Sequence, residues 1–380
     1  MNLKLNDNLF IYLFLIIFSY LIYSRSPCLF TSGRHYIAEF IFFYEYSSTN
    51  NLFDSLKYVY SEAKYFELWT NLSAIFGTRF GYSPNLITVY FAFLIKFLLI
   101  IYILLSKSIL LIDKRYKLIF LSFVIISTSI TPEVWLTTLH SKSFFGLLTY
   151  IMIFQDFSKF NKKKFFFFRA AIVFNGLSSI YSSIAAISFF FRFFFEKNKN
   201  NFINFIYSLF PLIINLLIFT YYSIIDFGIN SRFIYDSGKI LNLIYNTLIR
   251  PIFGGNISNY LFYEYLFEFK YLLGLFIFII FSFFCIYIYK KKDLILNIII
   301  TSFLTNITFI FFGSLYSDFV GGRYAVVSSV VFLSLFIRLC IVEKSFFLQK
   351  IYWIIIIFSI FIGFYEFKYF NSWIYLLKCN

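Results

Sequence analysis

Long apolar runs separated by short polar punctuation fill this chain, and a run of about 20 mostly apolar residues is what a helix needs to cross a bilayer. The runs are Leu9–Ser24, Pro84–Ser106, Leu118–Thr131, Phe144–Phe157, Phe202–Tyr222, Tyr271–Tyr289, Leu294–Gly313, Ala325–Val342 and Ile351–Tyr365. Several are short. A further stretch, "FFFFRAAIVFNGLSSIYSSIAAISFFFRFFF", lies between basic clusters at Lys159–Lys164 and Arg192–Lys199. Both of its ends should face the cytoplasm, because short loops rich in Lys and Arg are retained there. It must therefore cross an even number of times. With about 31 residues where two full spans want about 40, the expectation is a short, re-entrant-like hairpin turning near Asn175–Ser179.

The other basic clusters, Lys107–Lys117, Lys290–Lys292 and Arg338–Lys350, fix the remaining orientation. The reading is a single polytopic domain over residues 1–380, all-α, with about eleven transmembrane helices, its N-terminus cytoplasmic and its C-terminus extracytoplasmic. The first run, followed by "RSPCLF", lacks a small-residue cleavage site and is expected to remain as a span. Outside lie a long first loop, Arg25–Ser83, and a short second loop carrying "TPEVWLTTLHSKS". In the first loop Leu68, Leu72, Ile75 and Phe76 share a helical face opposite Thr70, Ser73 and Gly77, which predicts interfacial helices. Trp69, Trp135 and Trp373 fall near outer boundaries, where an indole suits the headgroup layer.

Composition agrees: of 380 residues 61% are hydrophobic and 13% charged, and the mean hydropathy is +0.80, far from a soluble globular chain. The formal charge of +15 lies in short inter-span clusters, so it marks topology and not a nucleic-acid partner. The basic turns are too brief for a nucleotide-binding fold. Chemistry, if present, belongs outside. The four cysteines fit no metal spacing, and a Cys28–Cys379 disulfide is the one pairing that an oxidising compartment would allow. Lys96 lies mid-span in "VYFAFLIKFLLIIY", where an unpaired lysine costs about 2.5–3.5 kcal/mol, so it should face the bundle interior.

Polar residues then gather in "SGRHYIAEFIFFYEY" after the first span, in "PEVWLTTLHSKSFFGLL", in "NGLSSIYSSIAAISFFFRFFF", in "LIRPIFGG" and in "GGRYAVVSS", with Trp373 near the C-terminus. In this order they resemble the GT-C superfamily of polytopic membrane glycosyltransferases, in a poorly characterised bacterial branch. The family pattern often shows two adjacent acids after the first span, where this chain has Glu39 between Ala38 and Phe40. The resemblance implies transfer of a sugar from a polyprenyl-phosphate carrier to a glycan or lipid acceptor, in cell-envelope assembly at a bacterial inner membrane.

On that resemblance Glu39 is the base for the acceptor hydroxyl, and Arg34 and His35 bind the carrier phosphate. Glu133 holds the acceptor or a divalent cation, and Arg250 and Arg323 are candidate cations for the leaving phosphate. Each has a plainer alternative. Glu39 could pair with Arg34 or Lys64, and Glu133 could be a first-turn acid behind Thr131 and Pro132. The arginines could reach headgroups. A polysaccharide polymerase, a lipid-linked glycan flippase or a non-catalytic relative would carry much of the same architecture.

Overall fold

A computed structural model describes residues 7–34, 39–60, 64–126, 135–158, 160–225, 237–255, 258, 269–313 and 322–369. Among them the secondary structure is helical, without a β-strand. The helices used below are α1 (Asp7–Arg25), α2 (Leu29–Ser32), α3 (Glu45–Thr49), α4 (Leu52–Lys57), α5 (Leu68–Arg79), α6 (Pro84–Leu105), α7 (Lys114–Ile126) and α8 (Lys142–Ile153). They continue with α9 (Lys162–Ser178), α10 (Ile180–Glu196), α11 (Lys199–Ile225), α12 (Ser237–Ile244), α13 (Arg250–Phe253), α14 (Lys270–Lys290), α15 (Leu294–Gly313), α16 (Gly322–Val342) and α17 (Phe346–Tyr369).

Seven of these, α1, α6, α11, α14, α15, α16 and α17, are long and apolar enough to cross a membrane. The hydrophobic stretch of α16 is 83% buried and that of α14 only 11%, so α16 is the central post of the bundle and α14 a peripheral helix. The sequence explains the centre. Ala325, Ser328, Ser329 and Ser334 are small and buried, which lets neighbouring helices approach closely.

The hairpin predicted from charge is present as α9 and α10, 17 residues each, joined through Ser179. That one residue is extended, and its hydroxyl accepts from Ser182 N–H at 3.3 Å to cap α10. It also donates to the Lys142 carbonyl at 2.6 Å, tying the turn to the start of α8. Across α11, Asn215 donates to Ser183 Oγ at 2.9 Å and accepts from Phe66 N–H at 2.9 Å, joining the hairpin to the first loop.

The basic turns share one end of the bundle. Ser108 bridges to Gln155, whose carbonyl accepts from Arg192 at 3.0 Å, and Tyr116 stacks on Trp353. Asp293 takes a two-pronged pair from Arg338 at 3.0 and 2.7 Å, and Glu343 accepts from Lys291 at 2.6 Å. Buried carboxylates are held in these turns by charge-assisted donors, which fixes how the α14–α15 and α16–α17 hairpins meet.

In α5 the polar positions Thr70, Ser73 and Gly77 are buried, as is Ile75 of the apolar face, while Phe76 is 41% exposed. Hydroxyls find partners inside, as Ser73 does with Tyr44 at 2.9 Å, and the phenylalanine turns outward. Trp69 and Trp135 are likewise buried, at 8% and 1% exposure, and not boundary anchors; Trp373 lies outside the described residues.

Candidate functional site

The end of the bundle opposite the basic turns holds an enclosed polar centre. It is assembled from the chain after α1, the N-terminal half of α6 and the segment Trp135–Ser141 ahead of α8. That segment is buried throughout although it is not helical, so this part of the second loop is a plug packed inside protein. Irregular backbone at such a place needs its polar groups satisfied. Ser141 Oγ donates to the Thr137 carbonyl at 2.9 Å and Leu136 adopts a positive φ of 53°, which folds the plug back on itself.

The plug meets Glu39. The carboxylate is 1% exposed; its Oε2 accepts from Thr88 Oγ1 at 2.5 Å, and its Oε1 accepts from Thr138 Oγ1 at 2.8 Å and from Leu139 N–H. A carboxylate offers about four acceptor positions, and the described residues supply donors to three of them. Burial pushes the Glu39 carboxyl above the usual glutamate range, against the pull of the three hydrogen bonds and of Arg34. Glu39 and Arg34 line one small cavity, together with Tyr44, Asn85 and Thr88.

Arg34 is placed by the glycine before it. Gly33 has φ +77°, and a Cβ there would lie 2.5 Å from the Asn85 carbonyl carbon. That close approach lets Arg34 N–H donate to Asn85 O at 2.9 Å, and the guanidinium then reaches the Trp135 carbonyl. Behind Arg34, Trp135 carries two more cations: Arg25 lies 4.5 Å and Lys96 5.3 Å from its ring centroid. Arg25 also faces Phe367 at 4.4 Å and feels the charge of Glu366, which accepts from Gly255 N–H at 2.9 Å.

The structure thus brings Arg34 and Glu39 together in one cavity that Arg250 does not line. The Arg250 guanidinium turns back on its own segment, donating to Asn246 at 3.2 Å and packing over Gly255. Lys64, one partner weighed for Glu39, is buried and has a positive φ of 55°, and it is not among the groups acting on the carboxylate. His35 and Glu133 lie outside the described residues, as does the Arg323 side chain in the first turn of α16. Among the described residues no three His, Cys, Asp or Glu side chains come together as a metal site, and the divalent-cation expectation rests on Glu133.

Three participants were not singled out from sequence. Thr88 and Thr138 carry no marker apart from polarity within apolar surroundings. Arg25 looked like the first residue of a loop, yet it is the last residue of α1. A second polar cluster was also missed: Lys142 Nζ pairs with Glu67 at 3.1 Å and donates to Tyr65 OH, with both charged side chains nearly buried.

Cys28 takes part in a disulfide, while Cys285 and Cys340 are free thiols; Cys379 lies outside the described residues. No known protein family, curated protein or solved structure matches the chain.

Proposed function

We propose that this protein is a bacterial inner-membrane glycosyltransferase of GT-C type. It would move a sugar from a polyprenyl-phosphate carrier to an extracytoplasmic glycan or lipid acceptor in cell-envelope assembly. One observation carries the reading: a buried carboxylate, Glu39, lines a cavity that it shares with Arg34.

A single displacement needs such a base beside the acceptor hydroxyl and a cation beside the departing phosphate. Thr88 and Thr138 aim the carboxylate, and Arg34 offers a planar fork of donors suited to phosphate oxygens. In this proposal the four shorter helices α7 to α10 complete about eleven crossings. The basic turns face the cytoplasm, and the Cys28 disulfide supports an oxidising exterior for the Glu39 end.

The test is transfer in liposomes from a labelled polyprenyl-phosphate sugar to acceptors extracted from native membranes. Glu39→Gln should lower turnover by about 10²- to 10⁴-fold with folding intact. Transfer by the variant at the parent rate refutes the assignment.

A further inference from the structure

Among the described residues Lys96 Nζ has no hydrogen-bond partner; the side chain is 0% exposed and lies roughly 18 Å along α6 from Pro84 at the usual helical rise. Its ammonium faces rings, Phe144 at 4.0 Å and Trp135 at 5.3 Å. The charges that act on it are Arg34 and Arg25, both of its own sign. Two cations, Arg25 and Lys96, are therefore gathered on one indole, with Arg34 on the backbone carbonyl of the same residue. Arg25 Nε is also buried without a partner, and Trp135 Nε1–H is a third unmatched donor in the same place.

Ring faces attract a cation, but not strongly enough to replace water around two of them in a low-dielectric interior. Like charges so placed repel, and the acid acting on Arg25 is Glu366, whose Oε2 also accepts from Gly255 N–H. A fold that only needed to be stable would put a leucine or methionine at position 96. The arrangement is complete if an anion with several acceptor oxygens enters among these donors.

We propose that Arg25, Lys96 and Trp135 form an intramembrane binding site for the phosphate group of a lipid, drawn below the ordinary headgroup level. Arg25, half-buried at the end of α1, is the rim, and Lys96 is the floor. Trp135 Nε1–H is an additional donor between them. That the lipid is the sugar donor rests on the transferase reading; the site itself does not, since a phosphate is what the donors fit. Arg34, which lines the Glu39 cavity, donates to the backbone carbonyl of Trp135, so a phosphate held here lies next to that cavity.

The experiment is a binding measurement on the full chain in nanodiscs, using native mass spectrometry and thermal unfolding. The probes are a polyprenyl monophosphate, the matching polyprenol and inorganic phosphate. The phosphorylated lipid should bind at least tenfold more tightly than the alcohol and raise the unfolding temperature. Lys96→Met and Arg25→Gln should each remove at least tenfold of that preference.

Lys96→Met has its own folding control. Without added lipid it should unfold at a higher temperature than the parent, because an unmatched buried charge is gone. Protection by inorganic phosphate would identify a free anion as a ligand of this site. Equal binding of alcohol and phosphate, or unchanged preference in both variants, overturns the proposal. A ligand-free Lys96→Met less stable than the parent also overturns it, since the lysine would then be structural. Binding retained without any sugar transfer would sink the transferase reading and leave this site standing.

Discussion

Replacing Lys142 by methionine isolates one charge in the interior, and its cost follows from the geometry. Glu67 is 2% exposed, its Oε1 lies 3.1 Å from Lys142 Nζ, and its Oε2 accepts from Thr70 at 3.0 Å. The ammonium also donates to Tyr65 and lies 4.9 Å from that ring. In Lys142→Met the Glu67 carboxylate keeps only Thr70, and breaking a buried pair by removing one partner costs about 3–5 kcal/mol. Glu67→Gln strands the ammonium and should cost a similar amount. The double variant Glu67→Gln/Lys142→Met has no orphaned charge, so it should lose far less than the sum, with a coupling of at least about 2 kcal/mol. Against a total stability of about 5–15 kcal/mol, each single change is readily measured. Unfolding in mixed micelles by increasing sodium dodecyl sulfate, followed by tryptophan fluorescence, gives all four corners of the cycle. If both single variants fall within about 1 kcal/mol of the parent and the effects simply add, the pair behaves like a solvated surface bridge and the reasoning is refuted.

Other outcomes are expected from the same physics. Gly33→Ala places a Cβ 2.5 Å from Asn85 at φ +77°, so it should lower stability by about 1–3 kcal/mol in thermal unfolding. Thr138→Val removes a donor that holds the Glu39 carboxyl down against burial; the acid limb of the pH–rate profile, already expected above 4.5, should move higher still. Burial opposes ionisation of Glu343, but Lys291, Tyr287 and Ser345 N–H bring it from 4.5 down to about 2. Its contribution is therefore complete above about pH 4.5 and lost as pH falls toward about 2, and Glu343→Gln should flatten stability against pH in that window. A variant keeping Cys28 as its sole cysteine should react with a membrane-impermeant maleimide from the outer face of intact cells; protection there would invert the proposed topology.

Hydropathy made most of the bundle legible. The seven long helices coincide with apolar runs read directly from sequence, and the charge at Lys159–Lys164 and Arg192–Lys199 forced a hairpin whose turn proved to be Ser179. What hydropathy measures is transfer of a segment out of water, and it does not say which face of the segment meets protein. Hence "WLTTLHS" looked like part of an external loop when it is a buried plug. Thr88 and Thr138 were invisible for a related reason. They act only because α6 and the plug bring them to one carboxylate, 50 positions apart in sequence. Glu39, Arg34 and Lys96 stood out because a charge beside or within an apolar run always needs an explanation.

The lengths of α9 and α10 bear on the lipid around the protein. Seventeen residues extend only about 26 Å as a helix, against a hydrocarbon layer of about 30 Å. Side chains such as Phe166 and Phe190 are exposed along this pair, so in the proposed topology its flank would meet acyl chains. The leaflets beside it would then pinch inward by a few ångströms. Such a dimple would shorten the distance that any polar lipid head must travel to leave the surface, and would localise that shortcut to one side of the molecule.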